Sequence, residues 1–192
     1  MTPTILEAVL KNRSNVGTDE QVRQLKDEIM HYCTTQPSAS FSNQGCWRGV
    51  QQLESIDFLL KNIEEMFKES IEYYASKDQL FSNFKNLDFQ IHYWSNVNPP
   101  RSRNVLHSHK PGILSGVYYI QGQGTGALRI INPANLQGEC NPQSPFTRDF
   151  FFNPKDKDLI MWPSWLPHEV EPNNTEKARI NIAYDVRFIN EN

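Results

Sequence analysis

At 192 residues, with 38% hydrophobic and 11% aromatic content against 21% charge, the chain has the composition of a globular protein with one well-buried domain rather than two. Its net charge of −3 and pI near 6.0 argue against a broad basic surface, so nucleic acid is not indicated as a partner. No run approaches the roughly 18 apolar residues of a membrane span, and the stretch from Met1 to Leu10 lacks the basic start and apolar core of a secretory signal, so a soluble, intracellular, cytoplasmic protein is expected.

The first ninety residues read mainly as helix. Thr18-Asp19-Glu20-Gln21 has the form of a capping box, and Val22, Leu25, Ile29 and Tyr32 follow at helical spacing until Thr34-Thr35-Gln36-Pro37-Ser38 breaks the pattern. A second helix is predicted from Ser55 to about Ser76, where Phe58, Leu59, Ile63, Met66, Phe67, Ile71 and Tyr74 form an apolar stripe. Between them, Phe41 to Gly49 is polar, glycine-bearing and aromatic, and reads as an ordered surface loop. Cys33, Cys46 and Cys140 are odd in number and widely spaced without a CxxC pair, which predicts three reduced thiols rather than disulfides or a cysteine zinc site.

After Leu87 the pattern changes to short strands, predicted at 89–97, 113–121, 127–131, 158–162 and 178–189, separated by proline, glycine and asparagine clusters. That spacing fits a two-sheet sandwich or jelly roll better than a parallel α/β sheet. The expectation is a single α+β unit over residues 1–192, with a mainly helical part over 1–87 covering one sheet of a β core over 88–192.

Chemistry concentrates in that β half. His107 and His109 are two residues apart, and on a strand such side chains share one face roughly 6.5 Å apart, close enough to converge on one ion after a bend. His168, in the proline-stiffened turn Trp162-Pro163-Ser164-Trp165-Leu166-Pro167-His168, is the natural third ligand. His31 belongs on a helix surface and His92 on a strand as a structural histidine. Eleven residues after His168, Arg179 opens the last strand, where alternation places Arg179, Asn181, Ala183 and Asp185 on one face and Ile180, Ile182, Tyr184, Val186 and Phe188 on the other. An inward arginine needs an anion, and a bidentate carboxylate suits it; the competing reading is an ion pair with a glutamate at the strand edge.

These motifs, His107-Ser108-His109, Leu114-Ser115-Gly116-Val117-Tyr118-Tyr119-Ile120, Asp158 to His168 and Arg179 to Ala183, resemble the small 2-oxoglutarate/Fe(II)-dependent oxygenases of bacterial and phage genomes, within the prolyl-hydroxylase-like superfamily. Ser42 to Trp47 resembles the same group less specifically. The resemblance covers residues 89 to 189. It implies a cupin-like double-stranded β-helix that uses Fe(II), 2-oxoglutarate and O2, with ascorbate as a stimulating reductant, to hydroxylate a small-molecule or peptide substrate with release of succinate and CO2. Under it, His107 and His168 are iron ligands, Arg179 binds the distal carboxylate of 2-oxoglutarate with Tyr119 and Asn181 beside it, and Trp94 and Trp165 either line the substrate mouth or pack as aromatic core.

One position departs from the family. Its usual triad carries a carboxylate where this chain has His109, which leaves three arrangements open: a three-histidine site, a two-histidine site with His109 behind it, or a site for another metal. The parity of the His-x-His pair favours direct ligation. Two other functional classes compete with the oxygenase, a cupin-type three-histidine enzyme that does not use 2-oxoglutarate and a non-enzymatic jelly-roll binding module. Arg101, Arg103 and Lys110 beside the histidines are either an attraction for an anionic substrate or a solvated loop.

Overall fold

In the computed structural model, which describes residues 11–39, 42–50, 52–77, 79–110, 112–133 and 148–189, Thr18 caps helix α1 (Asp19–Thr35) as the sequence predicts. The Gln21 backbone N–H donates to Thr18 Oγ1 at 3.2 Å while the Thr18 N–H donates to Gln21 Oε1 at 2.9 Å, so two otherwise unpaired helix-end donors are satisfied reciprocally. Helix α2 (Asp57–Lys77) follows a 3-10 turn at Glu54–Ile56. The apolar stripes of both helices bury Leu25, Ile29, Leu59, Ile63, Met66 and Phe67. No helix among the described residues is long and apolar enough to cross a membrane.

The strands form two antiparallel sheets. The larger has six members in the order β1 (Lys11–Arg13), β9 (Leu159–Pro163), β6 (Leu114–Gln121), β11 (Arg179–Phe188), β4 (Phe89–Asn98) and β3 (Trp47–Gly49). The smaller has five, β2 (Asn43–Gln44), β5 (Arg103–His107), β10 (His168–Val170), β7 (Leu128–Ile130) and β8 (Phe150–Phe152). Helices on one sheet of an antiparallel double-sheet jelly roll make this the α+β double-stranded β-helix that the motifs imply.

Each face of the large sheet has its own core. On the outer face Ile180, Ile182, Tyr184 and Val186 of β11 join Leu114 and Tyr118 of β6, Leu159 and Met161 of β9 and the helix stripes in one cluster. Each fully buried Ile or Leu there contributes roughly 1.5–3 kcal/mol relative to exposure. On the inner face Val117, Tyr119, Ile160 and Trp162 pack against Leu128 and Ile130 of the small sheet. Gly116 explains part of the motif around it: a Cβ there would lie 2.2 Å from the Tyr184 hydroxyl and 2.4 Å from the Ile160 carbonyl oxygen. The absence of a side chain lets Tyr184 reach across β6 and donate to that carbonyl at 3.1 Å.

The region between the helices differs from its expected form. Instead of a surface loop, residues 43–49 place β2 at an edge of the small sheet and β3 at an edge of the large one, with Cys46 buried between them. Strands of two and three residues are too short to show alternation, and their pairing with β5 and β4 comes from parts of the chain about 60 and about 50 residues away. Cys33 and Cys46 are free thiols; Cys140, Phe41 and residues 1–10 lie outside the described residues.

Candidate metal and 2-oxo acid site

The two sheets bring the three histidines together. In the antiparallel pair of β5 and β10, His107 stands directly opposite His168, and their ring centroids are 4.3 Å apart. His109 lies just beyond β5, where its backbone N–H donates to the Ser164 carbonyl at 2.9 Å and pins it to the turn preceding His168. One ligand atom from each of His107, His109 and His168 lies within 4.8 Å of the others, a cluster able to hold one metal ion. His31 is exposed, and His92 is half-buried on β4; neither joins the cluster.

Hydrogen bonds select the nitrogen that each ring presents. His107 Nδ1 lies 2.7 Å from the Val105 carbonyl, His168 Nδ1 2.9 Å from the Leu166 carbonyl, and His109 Nδ1 2.5 Å from Asp185 Oδ1. With an acceptor at every Nδ1, each ring is held as the Nδ1–H tautomer and keeps its Nε2 lone pair for a ligand role. Burial first, and then the neighbouring rings, lowers the His107 pKa to about 4 and the His168 pKa to about 3, although their carbonyl partners oppose the shift. Both are therefore neutral near pH 7, the state in which imidazole binds metal. Ser42 Oγ, 3.3 Å from His107 Nε2, belongs to the same pocket.

Arg179 stands deeper on the same face of β11. It is fully buried, β11 is an interior strand between β4 and β6, and no glutamate side chain meets it among the described residues. Its Nη1 donates to the carbonyls of Thr125 at 2.6 Å and Glu171 at 3.3 Å, while Nε and Nη2 have no partner among the described residues. Burial lowers its pKa from the usual arginine value, and the nearby Tyr119 and Cys46 oppose that effect. Such a guanidinium is expensive to leave unpaired, so it fits an anionic guest. The edge-strand ion pair is thus replaced by a half-satisfied interior cation.

The cavity at the histidines is walled by His109, His168, Tyr119, Asn181, Trp94 and Trp162 among others. Asn181 accepts from Asn96 Nδ2 at 2.9 Å, and the Trp162 indole N–H is buried without a partner among the described residues. Trp94 lies 5.4 Å from the His109 ring and carries the Arg48 guanidinium at 4.6 Å from its own ring. Trp165 does not join this wall; it is 53% exposed. Arg101, Arg103 and Lys110 are also exposed, and Arg103 Nε donates to Gln44 Oε1 at 3.0 Å. Strand alternation puts Asp185 on this face without marking a role for it, and nothing local in the sequence singles out Ser42, Asn96 or Trp162. Only their long-range neighbours identify them.

Three clustered imidazoles fit a divalent metal, and the buried, half-satisfied arginine on the inner face of β11 fits an anion, in a fold of the jelly-roll class. Residues 92–185 match the model of the family described as "Putative 2OG-Fe(II) oxygenase", so the β half of the chain carries a domain of that Fe(II)/2-oxoglutarate-dependent oxygenase family, whose members require Fe(II), 2-oxoglutarate and O2. Solved structures share the fold at low identity. A prolyl-4-hydroxylase from Pseudomonas putida is 16% identical with a TM-score of 0.64, covering 94% of this chain and 93% of its own. A prolyl hydroxylase from Trichoplax adhaerens, in complex with a hypoxia inducible factor peptide fragment, is 12% identical with a TM-score of 0.65 and covers 98% and 86%. HygX from Streptomyces hygroscopicus, with nickel and 2-oxoglutarate bound, is 12% identical with a TM-score of 0.58 and covers 95% and 84%. No curated protein matches the sequence.

Proposed function

We propose that this oxygenase hydroxylates a small-molecule or peptide substrate, with His107, His109 and His168 holding the iron and Arg179 holding the distal carboxylate of 2-oxoglutarate. When bound, iron, 2-oxoglutarate and O2 supply oxidative decarboxylation to succinate and CO2 coupled to attack on a substrate C–H bond. The protein supplies position and dryness. His107 and His168 present neutral Nε2 atoms from facing strands, so their geometry is set by the β5–β10 register rather than by flexible loops. Arg179, with Tyr119 and Asn181 on the wall, gives the dicarboxylate one orientation, and Trp94 borders the space left for substrate.

The observation that carries this reading is Arg179: a fully buried guanidinium with two nitrogens unpartnered among the described residues, on the inner face of the sheet opposite the one that carries His107 and His168. A three-histidine enzyme without 2-oxoglutarate, or a binding module, gives that cation no purpose. The test is anaerobic titration of the Fe(II)-loaded protein with 2-oxoglutarate, read as a visible charge-transfer band, followed by succinate formation in air. Wild type develops the band; Arg179→Ala binds Fe(II) equally but needs far more 2-oxoglutarate. An equal 2-oxoglutarate requirement in both proteins would remove Arg179 from this role, and a wild type that binds metal but shows no band would favour the enzyme without 2-oxoglutarate.

A further inference from the structure

Asp185 is 3% exposed and sits on the site face of β11, opposite Ser115 of β6 and His92 of β4. Its Oδ1 lies 2.5 Å from His109 Nδ1 and accepts from Ser115 Oγ at 2.7 Å, while Oδ2 accepts from Arg187 Nη2 at 3.2 Å. Ser164 Oγ, 2.7 Å from Ser115 Oγ, closes the network from the turn before His168. Gly112 leaves room for it: a Cβ there would lie 2.5 Å from Ser164 Oγ and 3.4 Å from Asp185 Cγ. A buried carboxylate is costly unless its oxygens are well supplied with donors, and these three supply them.

The three histidines are not equivalent. His107 and His168 give their Nδ1–H to neutral backbone carbonyls, whereas His109 alone gives it to a carboxylate. His109 is also the ligand standing where the family's triad has its acid. From this asymmetry we infer that Asp185 is the charge missing from the triad, moved outward by one imidazole: it polarises His109, fixes its tautomer and returns to the metal site the negative charge that histidine cannot carry. A charge-assisted hydrogen bond is about twice as strong as a neutral one, and the donor ring becomes the more basic ligand as its proton is drawn toward the acid. Asp185 is a positioning residue here; it does not itself reach the metal.

The inference rests on His109 as a metal ligand, and the test separates the two. Asp185→Asn keeps an oxygen acceptor for His109 and removes only the charge. Affinity for Co(II), a spectroscopic stand-in for Fe(II), is measured by chelator competition, with melting temperature as the folding control. Asp185→Asn weakens Co(II) binding by roughly 10- to 100-fold, the range for losing such an outer partner, while a role confined to packing leaves affinity within about threefold, since Asn preserves shape and acceptor. The second arm moves the acid back: His109→Asp alone crowds two buried carboxylates, so the double variant His109→Asp/Asp185→Asn binds Co(II) at least about tenfold more tightly than His109→Asp. This comparison stands even where Asp185→Asn alone folds poorly. Unchanged affinity in Asp185→Asn, or no gain in the double variant, overturns the inference and leaves the three-histidine site intact. A wild type that takes up no Co(II) overturns both.

Discussion

The two faces of β11 show how one strand serves two opposed purposes. On the helix side Ile180, Ile182, Tyr184 and Val186 are buried among apolar neighbours, and the one polar group, the Tyr184 hydroxyl, is paired with the Ile160 carbonyl. On the site side Arg179, Asn181 and Asp185 are nearly as buried, yet Arg179 retains two unpartnered nitrogens among the described residues and Asp185 spends its charge on a histidine. The first face stabilises the fold, and the second holds polar groups whose desolvation the fold must offset. A face left incompletely satisfied inside a well-packed protein is organised for a guest.

Substitutions should separate these purposes. The largest expected effect is on the apolar face: Ile182→Ala opens a cavity and costs about 3 kcal/mol of stability, within the usual 2–5, while 2-oxoglutarate affinity of the protein that remains folded stays unchanged; denaturant unfolding and the charge-transfer titration read the two separately. On the polar face the pattern reverses. Arg179→Ala raises the 2-oxoglutarate dissociation constant by at least about 30-fold, the lower end expected for truncating one partner of a buried charge pair, with a melting temperature that falls little because a buried, half-satisfied cation has been removed.

Acid provides a third way to divide the faces. Burial holds His168 neutral, with its pKa lowered to about 3, whereas an unfolded histidine titrates near 6.5. The stability tied to its neutral form is present above about pH 6.5 and is lost as pH falls below it, because the unfolded chain then takes up a proton that the fold refuses. At pH 5 the loss from His168 alone is about 2 kcal/mol. His107, lowered to about 4, adds a loss of the same sign. Melting of metal-free protein between pH 7 and pH 5 checks this, and His168→Asn should flatten the curve; parallel curves would show that His168 does not set it. The smallest effect lies far from both faces: Thr18→Ala removes one half of the capping box and costs about 1 kcal/mol of stability without touching metal or 2-oxoglutarate binding.

Much of this was legible before the fold. The helix stripes, the capping box and the alternation from Arg179 to Phe188 predicted which side chains share a face, because helical and strand periodicities are local properties of the backbone. The His-x-His pair and His168 were readable as one candidate cluster for the same reason, since spacing and residue type limit what can converge, and the fold brings the three together. The division of β11 into a helix-covered face and a site face follows from its sequence alone.

What the sequence left undecided depended on contacts between distant segments. Strands β2 and β3 are too short to carry a pattern, so their place at two sheet edges follows only from pairing with β5 and β4. Trp165 and Trp94 look alike as aromatic residues near the motif, yet only Trp94 borders the cavity. Whether Arg179 met a glutamate at an edge or stood inside was decided by β4 and β6 flanking β11 on both sides. The acid absent from position 109 is 76 residues away at Asp185, brought to His109 by the curl of the sheets rather than by any local spacing. Periodicity assigns a side chain to a face, but a hydrogen bond between two such faces exists only once the whole chain has closed around it.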